Sequence, residues 1–231
     1  MTRFQLIALS EVSLFKDVDI VKLDEFFSKI DISIRNYGNG QIILNQGDSC
    51  DDLTILLSGE AGACMTAPNG KLIRIETLKG PCAAATAILF SSEHSLPVSL
   101  IAEGELNMLS IPVELVLALM HEFPEFLKAY LRENGDKLVF LSEKIRLFQF
   151  KTLKQKLVGH ILMLAARQGS DELRMIYSRE DLSQLMAVAR PSLSREISSL
   201  VNDGYIEAKG KIVRILDRKA MMSLLSEDRK R

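Results

Sequence analysis

Arg190, Ser192, Ser194 and Arg195 stand within six residues of one another, and all four side chains are of the kind that grips nucleic acid. An arginine fork can bond guanine O6 and N7 together, and serine hydroxyls serve bases or phosphates. Ser178 and Arg179, a little earlier in the chain, complete the candidate DNA-contact set. To act together these groups need a helix that carries them on its outer face. Residues 177–202 provide one: Leu193, Ile197, Leu200 and Val201 recur at helical spacing beneath the polar set, and Leu182, Leu185 and Met186 do the same on a preceding segment. Ala187, Val188 and Ala189 are small enough for two helices to cross closely. Ser178 with Asp181 three residues on is an acidic variant of the capping box, and Pro191 suits a first turn, where its missing amide proton has no partner to lose. The expectation is a helix-turn-helix whose second helix reads DNA. A plain amphipathic pair with a solvated face is the alternative.

Charge is divided unevenly along the chain. From Lys144 to Arg231 there are 18 Lys and Arg against 10 Asp and Glu, whereas Met1 to Glu143 carries 11 against 20. The formal net charge of −1 therefore conceals a basic part and an acidic one. Only the basic part can neutralise phosphates and release counterions. A length of 231 residues with 47% hydrophobic content suffices for two modest cores. No apolar run approaches the roughly 20 residues of a membrane span, and the first residues lack a signal-peptide core, so a cytoplasmic protein with no membrane partner is expected. Cys50, Cys64 and Cys82 have no C-x-x-C spacing and an odd count, which indicates thiols and no zinc or disulfide framework.

The elements around the reader follow from periodicity. Leu9 to Ile30 reads as helical. From about Ile32 to Ile111, short runs of Ile, Leu, Val and Thr alternate with glycine-bearing turns, and Pro68-Asn69-Gly70 reads as a tight hairpin end. Strands so spaced predict an antiparallel sandwich or barrel. Helical spacing returns over Val113–Met120 and from Phe126 onward. There Leu127, Leu131, Asn134, Leu138, Leu141, Ile145 and Phe148 repeat at intervals of 4 and 3, a heptad seam for a parallel two-stranded coiled coil. Asn134, the polar seam member, is expected to fix register. Ile206 to Leu216, centred on Gly210, reads as a β-hairpin wing.

This order resembles the Crp/Fnr superfamily of bacterial transcription regulators over nearly the whole chain. The most specific matches are Gly40-Gln41-Ile42-Ile43-Leu44-Asn45-Gln46-Gly47-Asp48, Leu57-Ser58-Gly59-Glu60-Ala61 and the helix-turn-helix. The resemblance implies an α+β chain: a jelly-roll-like β-roll sensor domain (1–125), a long dimerisation helix and hinge (126–150), and a winged helix-turn-helix DNA-binding domain (151–231). It further implies a homodimer on a palindromic double-stranded operator, with RNA polymerase as a partner if the protein is an activator. The familiar pattern places an acidic residue after the first arginine of the recognition helix. Here Pro191 stands there, so the operator is expected to differ at that base pair.

The effector site departs further from the family. Cyclic-AMP binders of this superfamily hold the phosphate with a G-E-L segment and a later Arg-Ser pair, and the corresponding residues here are Ala85-Thr86-Ala87 and Leu96-Pro97. No Lys or Arg occurs from Gly80 to Leu127. Burying an unpaired phosphate is costly, so cyclic AMP is not expected. The candidate effector pocket is Ala85, Thr86, Ala87, Leu96 and Val98, with Leu138, Leu141 and Ser142 from the long helix. An iron-sulfur cluster is not expected either, since no cysteine precedes Cys50 and three thiols cannot supply four ligands. A haem-dependent sensor of nitric oxide or another diatomic gas stays open, with His94, His121, Met65 or Met108 as ligand, as do reversible thiol oxidation, an uncharged small molecule and an empty roll. The chain has no nucleophile-base pair, phosphate loop or H-E-x-x-H spacing, so an enzyme is not expected. A protein-interaction module without DNA binding is the remaining alternative class.

Overall fold

The computed structural model describes residues 1–30, 32–66 and 72–226, which form two compact units, Met1–Asp136 and Lys137–Arg231. The first begins with helices α1 (Arg3–Glu11) and α2 (Ile20–Ser28). The single helix expected over Leu9–Ile30 is therefore two. Val12 ends α1, Asp19 caps α2 by accepting from the amides of Val21 and Lys22, and the apolar Val12, Leu14, Phe15 and Val18 are buried in the turns between. Helical spacing of buried side chains does not distinguish one helix from two that pack on the same core.

Among the described residues eight strands follow: β1 (Ser33–Tyr37), β2 (Ile42–Leu44), β3 (Asp52–Ser58), β4 (Glu60–Thr66), β5 (Leu72–Lys79), β6 (Cys82–Ala84), β7 (Ser99–Ala102) and β8 (Leu106–Pro112). They form two antiparallel sheets, in the orders β1-β8-β3-β6 and β2-β7-β4-β5. The turn expected at Pro68-Asn69-Gly70 lies outside the described residues; the strands before and after it are paired, Thr66 opposite Leu72. Alternation explains the continuous apolar run of β3. Leu53, Ile55 and Leu57 pack with Leu109 and Ile111 of β8 against the helices, whereas Leu56 joins Met108, Ala61, Ala63, Ala84 and Ala102 in a cluster drawn from both sheets. Gly59 makes the β3–β4 turn at φ +89°, and a β-carbon there would lie 2.4 Å from the carbonyl oxygen of Glu105. That accounts for the glycine of the Leu57–Ala61 segment.

Helices α3 (Val113–Glu122) and α4 (Pro124–Leu147) come next, and the division between the units falls within α4. The second unit continues with α5 (Leu153–Gln168), β9 (Glu172–Arg174), α6 (Arg179–Met186), α7 (Arg190–Asn202), β10 (Ile206–Lys209), β11 (Ile212–Ile215) and α8 (Arg218–Ser226). Strand β9, which the sequence pattern did not announce, pairs with β11 to make a three-stranded sheet in the order β10-β11-β9. The core of this unit is Leu157, Val158, Ile161 and Leu164 of α5 against Leu182, Leu185, Leu193, Ile197 and Leu200 of the helix pair. The chain is thus α+β: a roll of antiparallel sheets, helices, and a winged helix-turn-helix. None of the described helices is long and apolar enough to cross a membrane.

Candidate nucleic-acid interface

Helix α6 starts at Ser178, whose hydroxyl accepts from the Asp181 amide while the Asp181 carboxylate accepts from the Ser178 amide, a reciprocal cap. The same hydroxyl donates to Asp181 Oδ2 at 2.6 Å, so the side chain is engaged in holding the helix end. The chain then reverses through Ala187, a non-glycine residue in the left-handed region at φ 56°, ψ 47°. Leu193, Ile197 and Leu200 anchor the inner face of α7, and Lys154 of α5 donates to Asp203 at its far end, 2.9 Å away. The outer face of α7 is thereby decided.

On that face Arg190, Ser194 and Arg195 are exposed. Arg190 approaches Glu180 only to 4.0 Å, and Arg195 folds back with long 3.4 Å bonds to the Pro191 carbonyl and the Ser192 hydroxyl. Such contacts are weak enough to exchange for base edges or phosphates. Ser192 is half-buried beneath Arg195. Arg179 is also half-buried, and burial lowers its pKa. It lines two grooves. One, of about 450 Å³, includes Arg190, Gly210 and Lys211; the other, of about 360 Å³, includes Ser194, Ser198 and Asn202. Three contributors escaped the sequence reading. Ser198 and Asn202 extend the outer stripe from Ser194 at four-residue intervals, and with Arg195 they border a groove of about 420 Å³. Lys211, beside Gly210 in the wing, comes to Arg179 and Arg190 only through the β10–β11 hairpin. The first two were legible from helical spacing; the third was not.

The expected seam of α4 is largely solvent-facing. Leu131, Leu138, Leu141, Ile145 and Phe148 are each more than half exposed, at 63%, 66%, 54%, 70% and 57%. Leu127 is half-buried. Asn134 is half-buried, donates to the Tyr130 carbonyl at 2.9 Å and lies 3.3 Å from the Thr86 hydroxyl.

The candidate effector residues are dispersed by environment. Thr86 and Leu96 are buried, Ala85 and Val98 half-buried, and Ala87 exposed. Leu138 and Leu141 are exposed on α4, and the Ser142 hydroxyl donates to the Leu138 carbonyl at 2.8 Å. Of the candidate haem ligands, Met108 is buried in the cluster shared by the two sheets, while His94, His121 and Met65 are exposed. Cys50 and Cys64 are buried and Cys82 half-buried. Burial, then the carboxylates of Asp51 and Asp52, push the Cys50 thiol up, away from the reactive thiolate.

Behind the reading head lies a buried polar group. His160 of α5 is fully buried, and its two ring nitrogens and Glu143 Oε2 are the buried side-chain atoms without a hydrogen-bond partner among the described residues. Glu143 is 5% exposed and accepts from Arg167 at 2.5 Å. Burial pushes the His160 imidazole down to about 4, opposed by the charge of Glu143 and aided by that of Arg167.

Comparison with known proteins agrees with this architecture. The profile of the cyclic nucleotide-binding domain matches residues 34–123, and that of the Crp-like helix-turn-helix domain matches residues 155–224. A CRP-like cAMP-activated global transcriptional regulator of Mycobacterium tuberculosis is 22% identical over 187 residues, 79% of this chain and 83% of that protein. Electron transport regulator A of Shewanella oneidensis is 25% identical over 185 residues, 77% of this chain and 72% of its own. The crystal structure of a transcriptional regulator from Thermotoga maritima superposes with a TM-score of 0.52 at 29% identity, covering 58% of this chain and all of that one.

Proposed function

The chain belongs to the Crp/Fnr family of DNA-binding transcription regulators, and from that premise we propose that it acts as a homodimer on a palindromic operator under a signal other than cyclic AMP. The carrying observation is the row of four seam residues on α4, with Phe148 just beyond its end, each more than half exposed. An apolar row of that length on one helix is unfavourable in water and is matched by an identical row on a second copy. Two copies related by a two-fold axis present two α7 helices. Operator half-sites one duplex turn apart, about 34 Å, are the geometry such a pair meets. If the protein activates transcription, RNA polymerase is its further partner.

Against cyclic AMP stands the chemistry of the roll. Residues 80–127 contain no Lys or Arg, and Thr86 and Leu96, which by resemblance occupy the phosphate-holding positions, are buried. An anion placed there finds no countercharge within that stretch.

The test is sedimentation and site selection together. Wild type should run as a dimer and enrich palindromic duplexes from a random pool, with binding unaffected by saturating cyclic AMP. Leu138→Glu should run as a monomer and lose tight binding. A dimer that survives Leu138→Glu refutes the seam, and operator binding that requires cyclic AMP refutes the signal assignment.

A further inference from the structure

The first half of α4 is fastened to the roll by side chains that meet at one turn. The Thr86 hydroxyl, in a residue 1% exposed, lies 3.3 Å from both Glu133 Oε1 and Asn134 Oδ1. The Tyr130 phenol donates to the Thr86 carbonyl. Glu133 accepts from Ser13 at 2.5 Å through its other oxygen, and Asn134 donates to the Tyr130 carbonyl. Rings close the same junction: Phe90 meets Tyr130 edge-on at 5.7 Å, and Phe126 lies 4.8 Å from Phe15. Every one of these residues belongs to the first unit.

Two properties suit this group to hold the helix without help. Burial, with Cys50 and Glu133 nearby, pushes the Tyr130 phenol up to about 12, so it remains a donor at any physiological pH. Thr86 has its hydroxyl and its carbonyl both committed to α4, whereas a turn built to grip a ligand keeps such groups pointed at the ligand. The fastening also sets which side of the helix faces water. With Phe126 and Tyr130 buried and Glu133 and Asn134 half-buried, Leu131 and Gly135 of the same turns are exposed.

We propose that Thr86, Tyr130, Glu133 and Asn134 form a built-in latch that holds the first-unit part of α4 with Leu131 outward, so that DNA binding requires no small molecule in the roll. The proposal rests on the reading of the chain as a dimeric operator-binding regulator and deepens its account of the signal. In this arrangement the chain's own side chains hold the helix in its presenting orientation, and Thr86, Glu133 and Asn134 are positioning residues that act through α4.

The test uses the full chain, unfolded in guanidinium, separated from small molecules on a sizing column and refolded, with mass spectrometry to verify that nothing is carried through. Stripped wild type should bind the selected duplex as tightly as untreated protein. Thr86→Val, which keeps the shape and removes the hydroxyl, should weaken binding about tenfold, as expected for losing a bond to a charged acceptor. Its amide hydrogen exchange over residues 130–138 should rise. Glu133→Gln provides a second variant should Thr86→Val not fold. Stripped protein that binds poorly and recovers with a host-cell extract overturns the proposal, and so does a Thr86→Val variant with wild-type or tighter binding. Failure of every form to bind any duplex overturns the operator-binding reading instead. In that event the latch still stands or falls on the exchange measurement, and unchanged exchange over 130–138 rejects it.

Discussion

Acid should weaken the second unit through one residue, His160. Its imidazole is fully buried with neither nitrogen bonded among the described residues, and burial lowers its folded-state value to about 4 against the ordinary 6.5. Between those two values the unfolded chain binds a proton that the folded chain refuses. Stability from this group is therefore complete above pH 6.5, declines as the pH falls toward 4, and changes no further below it. A difference of that size, at about 1.36 kcal/mol per pH unit, amounts to roughly 3 kcal/mol. His160→Leu removes the titration along with two unpartnered nitrogens, so the variant should be at least as stable as wild type at neutral pH. Urea unfolding followed by circular dichroism, wild type against variant across this window, isolates the contribution because the carboxylates common to both cancel. The imidazole resonance of His160 provides a direct check. Should that resonance titrate near 6.5, or should the two proteins lose stability in parallel, the reasoning is wrong.

Three further outcomes follow from local geometry. Ala187→Gly should stabilise the second unit by about 1 kcal/mol in thermal unfolding, since a left-handed alanine costs about 1–2 kcal/mol and glycine returns part of that as unfolded-state entropy. Gly59→Ala should destabilise the roll by more than about 2 kcal/mol, because the new methyl meets the Glu105 carbonyl in a turn that already demands φ +89°. Arg190→Ala should lower specific affinity by about 1–3 kcal/mol and relax preference at one base pair, whereas Lys211→Ala should weaken specific and random duplexes alike and flatten the salt dependence by about one unit. Equal losses on both kinds of DNA for Arg190→Ala would make that arginine a phosphate contact.

The exposed seam and the reading face differ in how much they owe to packing. The proposed dimer would bury Leu131, Leu138, Leu141, Ile145 and Phe148, side chains worth about 1.5–3 kcal/mol each when fully removed from water. That gain is offset by the entropy of association, so pairing depends on the complete row, and one glutamate at position 138 is enough to oppose it. The reading face is different in kind. It is held by Leu193, Ile197 and Leu200 below and by the Lys154–Asp203 bond at the end of α7, so the backbone that carries Arg190 and Arg195 is positioned by the fold alone.

What the amino-acid order determined by itself was local and periodic. Leucines at helical spacing defined α6, α7 and α4; glycine-punctuated β-branched runs defined the roll; and the placement of Arg190, Ser194 and Arg195 over an apolar stripe defined the exposed face of α7. Each is set by interactions within a few turns or strands, which is why it can be read along the chain. Tertiary structure alone decided the rest. Whether Leu9–Ile30 is one helix or two depended on what Val12 and Phe15 pack against, and Lys211 reached the interface only through the pairing of β10 with β11. Asn134 meets Thr86, nearly fifty positions away in sequence. His160 looked like any helical histidine until Glu143, Arg167 and Tyr177 closed around it. Burial and partner identity are properties of residues brought together across long loops, and no spacing rule along one segment encodes them.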